Sequence, residues 1–230
     1  MTNANRLKTE LPLLVMLIAP FVLLPFIWDQ LPDVVTIHWN TRGEPDRFAG
    51  KTLGLLLLPS INVALYVFFW LIPRVDPKEE VGFRKKPLPS LRLFTMLIVL
   101  LLFLVNISMM LDMGGLAGSG RPVPLVIIVM FFGLGNYMSS VQPNYFIGIK
   151  TPWTLQDPEI WKKTHRLGGR LWVACSVVLL VLWAILPVAR FHRVMAAVVL
   201  IVMVAVPVLY SYLLYARQKG TDESIESDTD

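Results

Sequence analysis

The sequence predicts an all-α membrane protein. The expected architecture is a six-transmembrane-helix bundle, N-in and C-in, with a short ordered extracellular strand–turn loop and an amphipathic cytoplasmic interfacial helix. Three observations predict it. The 230 residues are 55% hydrophobic and only 16% charged, where a soluble domain carries about 25% charged residues. The scarce charges are clustered, which leaves six runs free of Lys, Arg, Asp and Glu: 11–27, 53–72, 93–111, 123–138, 171–188 and 194–214. The basic residues are distributed unevenly between alternate connections.

A membrane-spanning helix needs about 20 mostly apolar residues, with about 17 the lower limit. The first run follows Arg6 and Lys8. It is longer than a signal-peptide core and no small-residue cleavage site follows it, so it reads as an uncleaved first helix. The fourth run is the shortest and carries Gly133, Gly135 and Asn136. Its alternative is a re-entrant or buried segment, but without it both flanking loops would fall on one side. Fifteen of the 21 Lys and Arg residues lie in the segments that N-in topology puts in the cytoplasm, as the positive-inside rule requires. The pI near 9.4 is then a topology signal, and no direct nucleic-acid partner is expected. The lone Cys175 lies inside an apolar run, which excludes an intrachain disulfide and makes it a poor thiolate nucleophile. The acidic end, 221–230, reads as a disordered solvated tail.

Within the spans, Asn62, Asn106 and Ser176 are the polar residues expected to cross-link helices. Asp29 and Asp112 sit at span ends, and no buried charge pair marks a proton or ion path. The connection 73–92, with Pro77, Pro87 and Pro89, reads as a plain cytoplasmic linker.

Most helix–helix connections run about 2–8 residues, and two of the longer ones here are aromatic-rich and too long to be mere connectors. The outer one, 28–52, alternates Val35, Ile37 and Trp39 with Thr36 and His38, a period-two strand pattern. Asn40-Thr41-Arg42-Gly43 is a turn signal, and Glu44-Pro45-Asp46 forces extended backbone. His38, Glu44 and Asp46 have the chemistry for zinc ligation or acid–base work. The structural alternative is favoured: His38 bonding within the turn and Asp46 paired with Arg47 or Lys51. No metal or other cofactor is expected.

The inner connection, 139–170, starts extended around Tyr145, Ile147 and Ile149, and Thr151-Pro152 continues so. Two helix starts compete, Thr154-x-x-Asp157 as a capping box and Asp157-Pro158-Glu159 as an N-cap followed by proline. Ile160, Trp161, Thr164, Leu167 and Leu171 then share one helix face, with Lys162, Lys163 and Arg166 opposite. This is the interfacial helix, with Gly168-Gly169 bending into the fifth span and Trp153 and Trp161 as interface belt residues. The alternative is a docking surface.

The inner loop, Asn144-Tyr145-Phe146-Ile147-Gly148-Ile149-Lys150-Thr151-Pro152-Trp153-Thr154-Leu155 followed by Trp161, Lys163, Thr164, His165 and Gly168, resembles the signature of the SdpI family. The outer loop, Leu31-Pro32 followed by His38-Trp39-Asn40, Gly43, Asp46 and Lys51, resembles the uncharacterised domain that commonly precedes it. One departure is Lys150, where the family often has Arg; the charge is kept and the planar fork lost. The resemblance implies a bacterial plasma-membrane protein organised as an N-terminal two-helix unit (1–80) and a four-helix domain (81–220). It implies immunity to a secreted membrane-active peptide toxin, and signalling by holding a small cytoplasmic transcriptional repressor at the membrane. Membrane lipids are the remaining expected partner. The function expected is therefore non-enzymatic. The alternatives are a membrane-face enzyme built on His38, Glu44 and Asp46 or on His165 and Lys150, and a lipid or small-molecule binder or transporter.

Overall fold

In a computed structural model the chain is almost wholly helical, and the structure describes residues 3–40, 42, 44–75, 87–111 and 121–227. Helix α1 spans Asn3–Ile27, and a single 3-10 turn, Trp28–Gln30, leads to a two-stranded antiparallel hairpin, β1 Val34–Trp39 and β2 Pro45–Gly50. Then follow α2 Lys51–Val75, α3 Pro87–Met110 and α4 Pro122–Met138. A short α5, Pro152–Gln156, precedes α6, Pro158–Ile185. Helix α7, Val188–Ala197, passes through a π-helical stretch, Val198–Ala205, into α8, Val206–Ser227.

Among the described residues five segments are long and apolar enough to cross a membrane: Glu10–Gln30, Lys51–Ile72, Ser90–Met110, Pro158–Ile185 and Val188–Gly220. The fourth predicted run is the 17-residue α4, shorter than these. Their outer faces leave large apolar side chains such as Phe26, Leu53 and Ile185 exposed, as expected where lipid replaces water. Asp112 lies outside the described residues.

The interfacial helix expected between 157 and 170 is not a separate element. It forms the first turns of α6, which continues past Gly168 and Gly169 without a break. The physical reason is contact, not flexibility. A Cβ on Gly169 would stand 2.7 Å from the Gly135 carbonyl oxygen, and one on Gly135 would stand 3.1 Å from that of Gly169. The two glycines let α4 and α6 approach backbone to backbone. Ile160, Trp161, Thr164 and His165 are buried against protein, so Trp161 is not a belt residue. Of the two competing helix starts, the Asp157-Pro158-Glu159 cap forms as expected and the Thr154-x-x-Asp157 box does not. Asp157 caps α6, its carboxylate accepting from the N–H groups of Glu159 and Ile160, and Thr154 is the third residue of a capping box led by Thr151. Helix α8 runs to Ser227, so the acidic end read as a tail from 221 begins as helix.

The cross-links between elements differ from those expected. The Ser176 hydroxyl donates to the Trp172 carbonyl in its own helix, and the buried Asn62 amide has no hydrogen-bond partner. The ties come from tryptophan. Trp161, Trp172 and Trp183 are spaced by eleven residues, about three turns, so they share one face of α6. Their indole N–H groups donate to the carbonyls of Val141, Met203 and Arg121 at 2.8, 2.8 and 3.1 Å. Just beyond the uncharged runs, Arg92 of α3 makes a two-pronged contact with Glu10 of α1 at 3.1 and 2.9 Å, and Tyr66 of α2 donates to the same carboxylate.

Candidate functional site

The two long connections form ordered structures at opposite ends of the bundle. At one end the hairpin lies on the start of α2. Val35 is buried and its side chain fills the space where Gly54 of α2 has none. The turn is organised by Asn40, whose side-chain oxygen accepts from the N–H groups of Arg42 and Glu44 at 2.8 and 3.1 Å while its amide donates to the Glu44 carboxylate. Gly43 lies outside the described residues. At the base, the Lys51 N–H donates to the Asp33 carbonyl at 2.8 Å, and the Lys51 ammonium sits 5.3 Å over the Trp28 ring.

His38 and Asp46 meet across the strands, Nδ1 to Oδ1 at 2.6 Å. Asp46 thus pairs with His38, not with Arg47 or Lys51, because the irregular register near His38 brings the two side chains to one face. Glu44, the third member of the possible zinc set, bonds to Asn40 instead. Among the described residues no group of three or more His, Cys, Asp or Glu is placed to hold a metal ion.

Beneath the hairpin is a cavity of about 640 Å3, walled by His38, Trp39 and Asp46, Leu57 of α2, Asn106 of α3 and His192 of α7. Its lining combines these polar groups with apolar side chains such as Ile37, Leu58 and Ile127. No local pattern marks His192, which lies far along the chain; only the packing of α7 brings it here. Its Nδ1 is occupied by the Val188 carbonyl at 2.9 Å.

At the other end, Asn144 holds the inner loop. It is fully buried; its amide donates to the carbonyls of Gln142 and Ile147, and its oxygen accepts from the N–H groups of Phe146 and Ile147, at 2.6 to 2.8 Å. Gly148 adopts φ +127°, a conformation that only glycine takes without strain. A side chain there would strike His165 and Trp161. The Ile149 N–H donates to His165 Nε2 at 2.9 Å. That nitrogen is therefore unprotonated, and Nδ1 carries the proton it donates to the Trp161 carbonyl at 2.8 Å. Gly168 leaves room for Ile149. The Lys150 ammonium turns back to the carbonyls of Tyr145 and Phe146 at 3.3 and 3.2 Å. Thr151 and Thr154 bond to each other, and the Trp153 indole N–H donates to Ser211 of α8 while its ring stacks on Tyr215. Thr164 is buried with its hydroxyl unpartnered. Pro152 opens α5, where no N–H is required.

The inner residues singled out from sequence thus converge on one structure, a loop clasped by the start of α6 and by α8. His165 and Lys150 are both bonded to backbone groups of this loop and helix. The outer residues converge on the hairpin. Near Asp157, the carboxyl titrates below its ordinary value of 3.8, first because the Ile160 N–H binds the carboxylate, then because the Gln218 amide does.

Apolar helices with an ordered loop at each end define a multi-pass plasma-membrane protein. Within that class, residues 140–212 match the SdpI/YfhL protein family and residues 15–63 match a domain of unknown function, DUF1648. The resemblance read from the two loops therefore holds, and each match contains one of them. The chain is also similar to immunity protein SdpI of Bacillus subtilis strain 168, with 21% identity over 197 residues that cover 85% of this chain and 90% of that protein. No solved structure matches the chain.

Proposed function

We propose that this protein is a six-pass immunity protein, N-in and C-in, that protects its host from a secreted membrane-active peptide. The observation that carries this reading is the similarity to an immunity protein through 90% of that protein's length, with both loop segments included. The topology is supported by the basic bias of the α5 end and by α4. That helix runs from Arg121, bonded to the end of α6, to Met138, next to the inner loop, so it supplies the remaining pass. The hairpin then faces outward. Its cavity receives apolar side chains of the peptide, and the few polar groups in its wall orient them.

The test is expression in a bacterium sensitive to a sporulation-delaying peptide toxin, followed by challenge. Survival is expected; unchanged killing overturns the reading for that peptide. Reporter fusions at each terminus check topology, and a periplasmic signal from either refutes N-in, C-in. Protection by binding, not by chemistry, requires that purified protein carry no stoichiometric metal.

The inner loop serves as the signalling face, holding a small cytoplasmic repressor. Trp153 is the anchor, since it is partly exposed and joins α5 to α8. Trp153→Ala should abolish recruitment of that partner to membranes; equal recruitment refutes the role.

A further inference from the structure

A second groove lies away from the hairpin, between the end of α4 and the first half of α6. It encloses about 430 Å3 and is bordered by Asn136 of α4, by Ser139 at the α4 C-cap and by Arg166 and Arg170 on α6. Its floor is the Gly135–Gly169 crossing, where the absence of two side chains notches the helix pair. The lining contains two cations and no carboxylate.

Neither guanidinium has a hydrogen bond or ion pair among the described residues. Arg92 and Arg121, also at helix ends, are bonded to Glu10 and to the Leu186 carbonyl. The side chains of Asn136 and Ser139 likewise have no partner among the described residues. Two positive charges and two neutral hydrogen-bonding groups therefore converge on one unfilled space.

What lies along the helices from there is apolar. On α6 the row Arg166, Arg170, Val173, Val177 and Val181 advances by three or four residues and so follows one face. On α4 the row Ser139, Asn136, Phe132 and Val129 does the same in reverse. Val177, Val181, Phe132 and Val129 are all exposed. The surface is amphiphilic along the helix axes: a cationic, hydrogen-bonding head region continues into a double apolar track.

We propose that this groove is a binding site for an anionic phospholipid. Its phosphate lies between Arg166 and Arg170, its glycerol or headgroup hydroxyls meet Asn136 and Ser139, and its acyl chains follow the two apolar rows. Basic pockets between membrane helices take anionic headgroups because each Arg near the surface contributes about 1 kcal/mol of attraction. Arginine suits this better than lysine, since its planar fork matches phosphate oxygens in pairs.

The test uses the purified full chain and native mass spectrometry with equal added phosphatidylglycerol and phosphatidylcholine, and separately with inorganic phosphate. Retention of phosphatidylglycerol and not phosphatidylcholine is expected. Arg166→Gln with Arg170→Gln should weaken it about 25-fold, from about fivefold for each charge. Paired Lys substitutions should restore part of the loss. Ala174→Trp, which keeps both charges and fills the apolar side of the groove, should also abolish retention. Equal retention of the two lipids, unchanged retention in the double Gln variant, or full displacement by inorganic phosphate would each overturn the proposal. Thermal unfolding of each variant separates loss of the site from loss of the fold. The immunity reading does not enter this measurement, so each can fail alone.

Discussion

The imidazole of His165 lies almost flat on the indole of Trp161, 3.9 Å between ring centroids and 19° between planes. The two rings are one turn apart on α6, and together they form the surface on which Gly148 and Ile149 rest. The pair does two things at once. Its atoms exclude any side chain at 148, and its ring nitrogens satisfy backbone groups at Ile149 and Val141.

Replacing His165 by Phe keeps the stacking and leaves the part-buried Ile149 N–H without its acceptor. A buried donor left unpaired costs about 1–3 kcal/mol. His165→Phe should lower stability by that amount in denaturant unfolding; an unchanged midpoint would show that the bond contributes nothing. Gly148→Ala should be worse, because left-handed backbone strain of about 1–3 kcal/mol adds to a collision with both rings.

Asn144 makes four hydrogen bonds from a position with no exposure. Asn144→Asp preserves shape and loses the two donated bonds, while a carboxylate would be buried among carbonyls. We expect proteolysis within 142–150 in the variant and none in the parent. Equal resistance of the two proteins would contradict the role given to this side chain.

His38 and Asp46 are the opposite case. Their contact is short, but the side chains are 52% and 37% exposed, and exposed ion pairs are worth about 0–1 kcal/mol. Asp46→Asn should leave the unfolding midpoint within that range. If the hairpin cavity meets the peptide, the same substitution should reduce survival in the toxin challenge. Full protection by Asp46→Asn would remove this pair from the site.

Asp157 caps α6 and holds Gln218 of α8 at 2.8 Å. Asp157→Ala should cost about 1 kcal/mol, the usual value of an N-cap. The sign of the pH effect follows from the lowered folded-state pKa. The charged form is favoured by folding, so its stabilisation is complete above the ordinary carboxyl range and fades as pH falls below about 3.8 through the folded value. The acid limb of the stability profile should be flatter in Asp157→Asn than in the parent.

Glu10, Tyr66 and Arg92 bring α1, α2 and α3 to one point. Glu10→Gln removes the charge facing a guanidinium that is only 13% exposed. We expect a loss of about 1–3 kcal/mol, and a smaller loss in the Glu10→Gln, Arg92→Met double variant, where neither charge is left alone. Additive losses would argue against direct coupling.

The sequence by itself determined the helical class, the approximate helix positions, the strand at Val34–Trp39 and the two loops that hold the unusual residues. These are local properties: uncharged length, period-two alternation and turn residues act over a few neighbours. It could not show that Gly168 and Gly169 sit in a straight helix, because glycine serves a bend and a close crossing equally well, and the choice depends on Gly135 on another helix. The eleven-residue spacing of Trp161, Trp172 and Trp183 was visible, but their carbonyl partners on three other segments were not. Only the tertiary structure decided that Trp161 is buried, that His192 joins Asp46 at one cavity, and that Arg166 and Arg170 border an apolar groove. Each of these depends on contacts between segments distant in the chain, which packing selects and local preference does not encode.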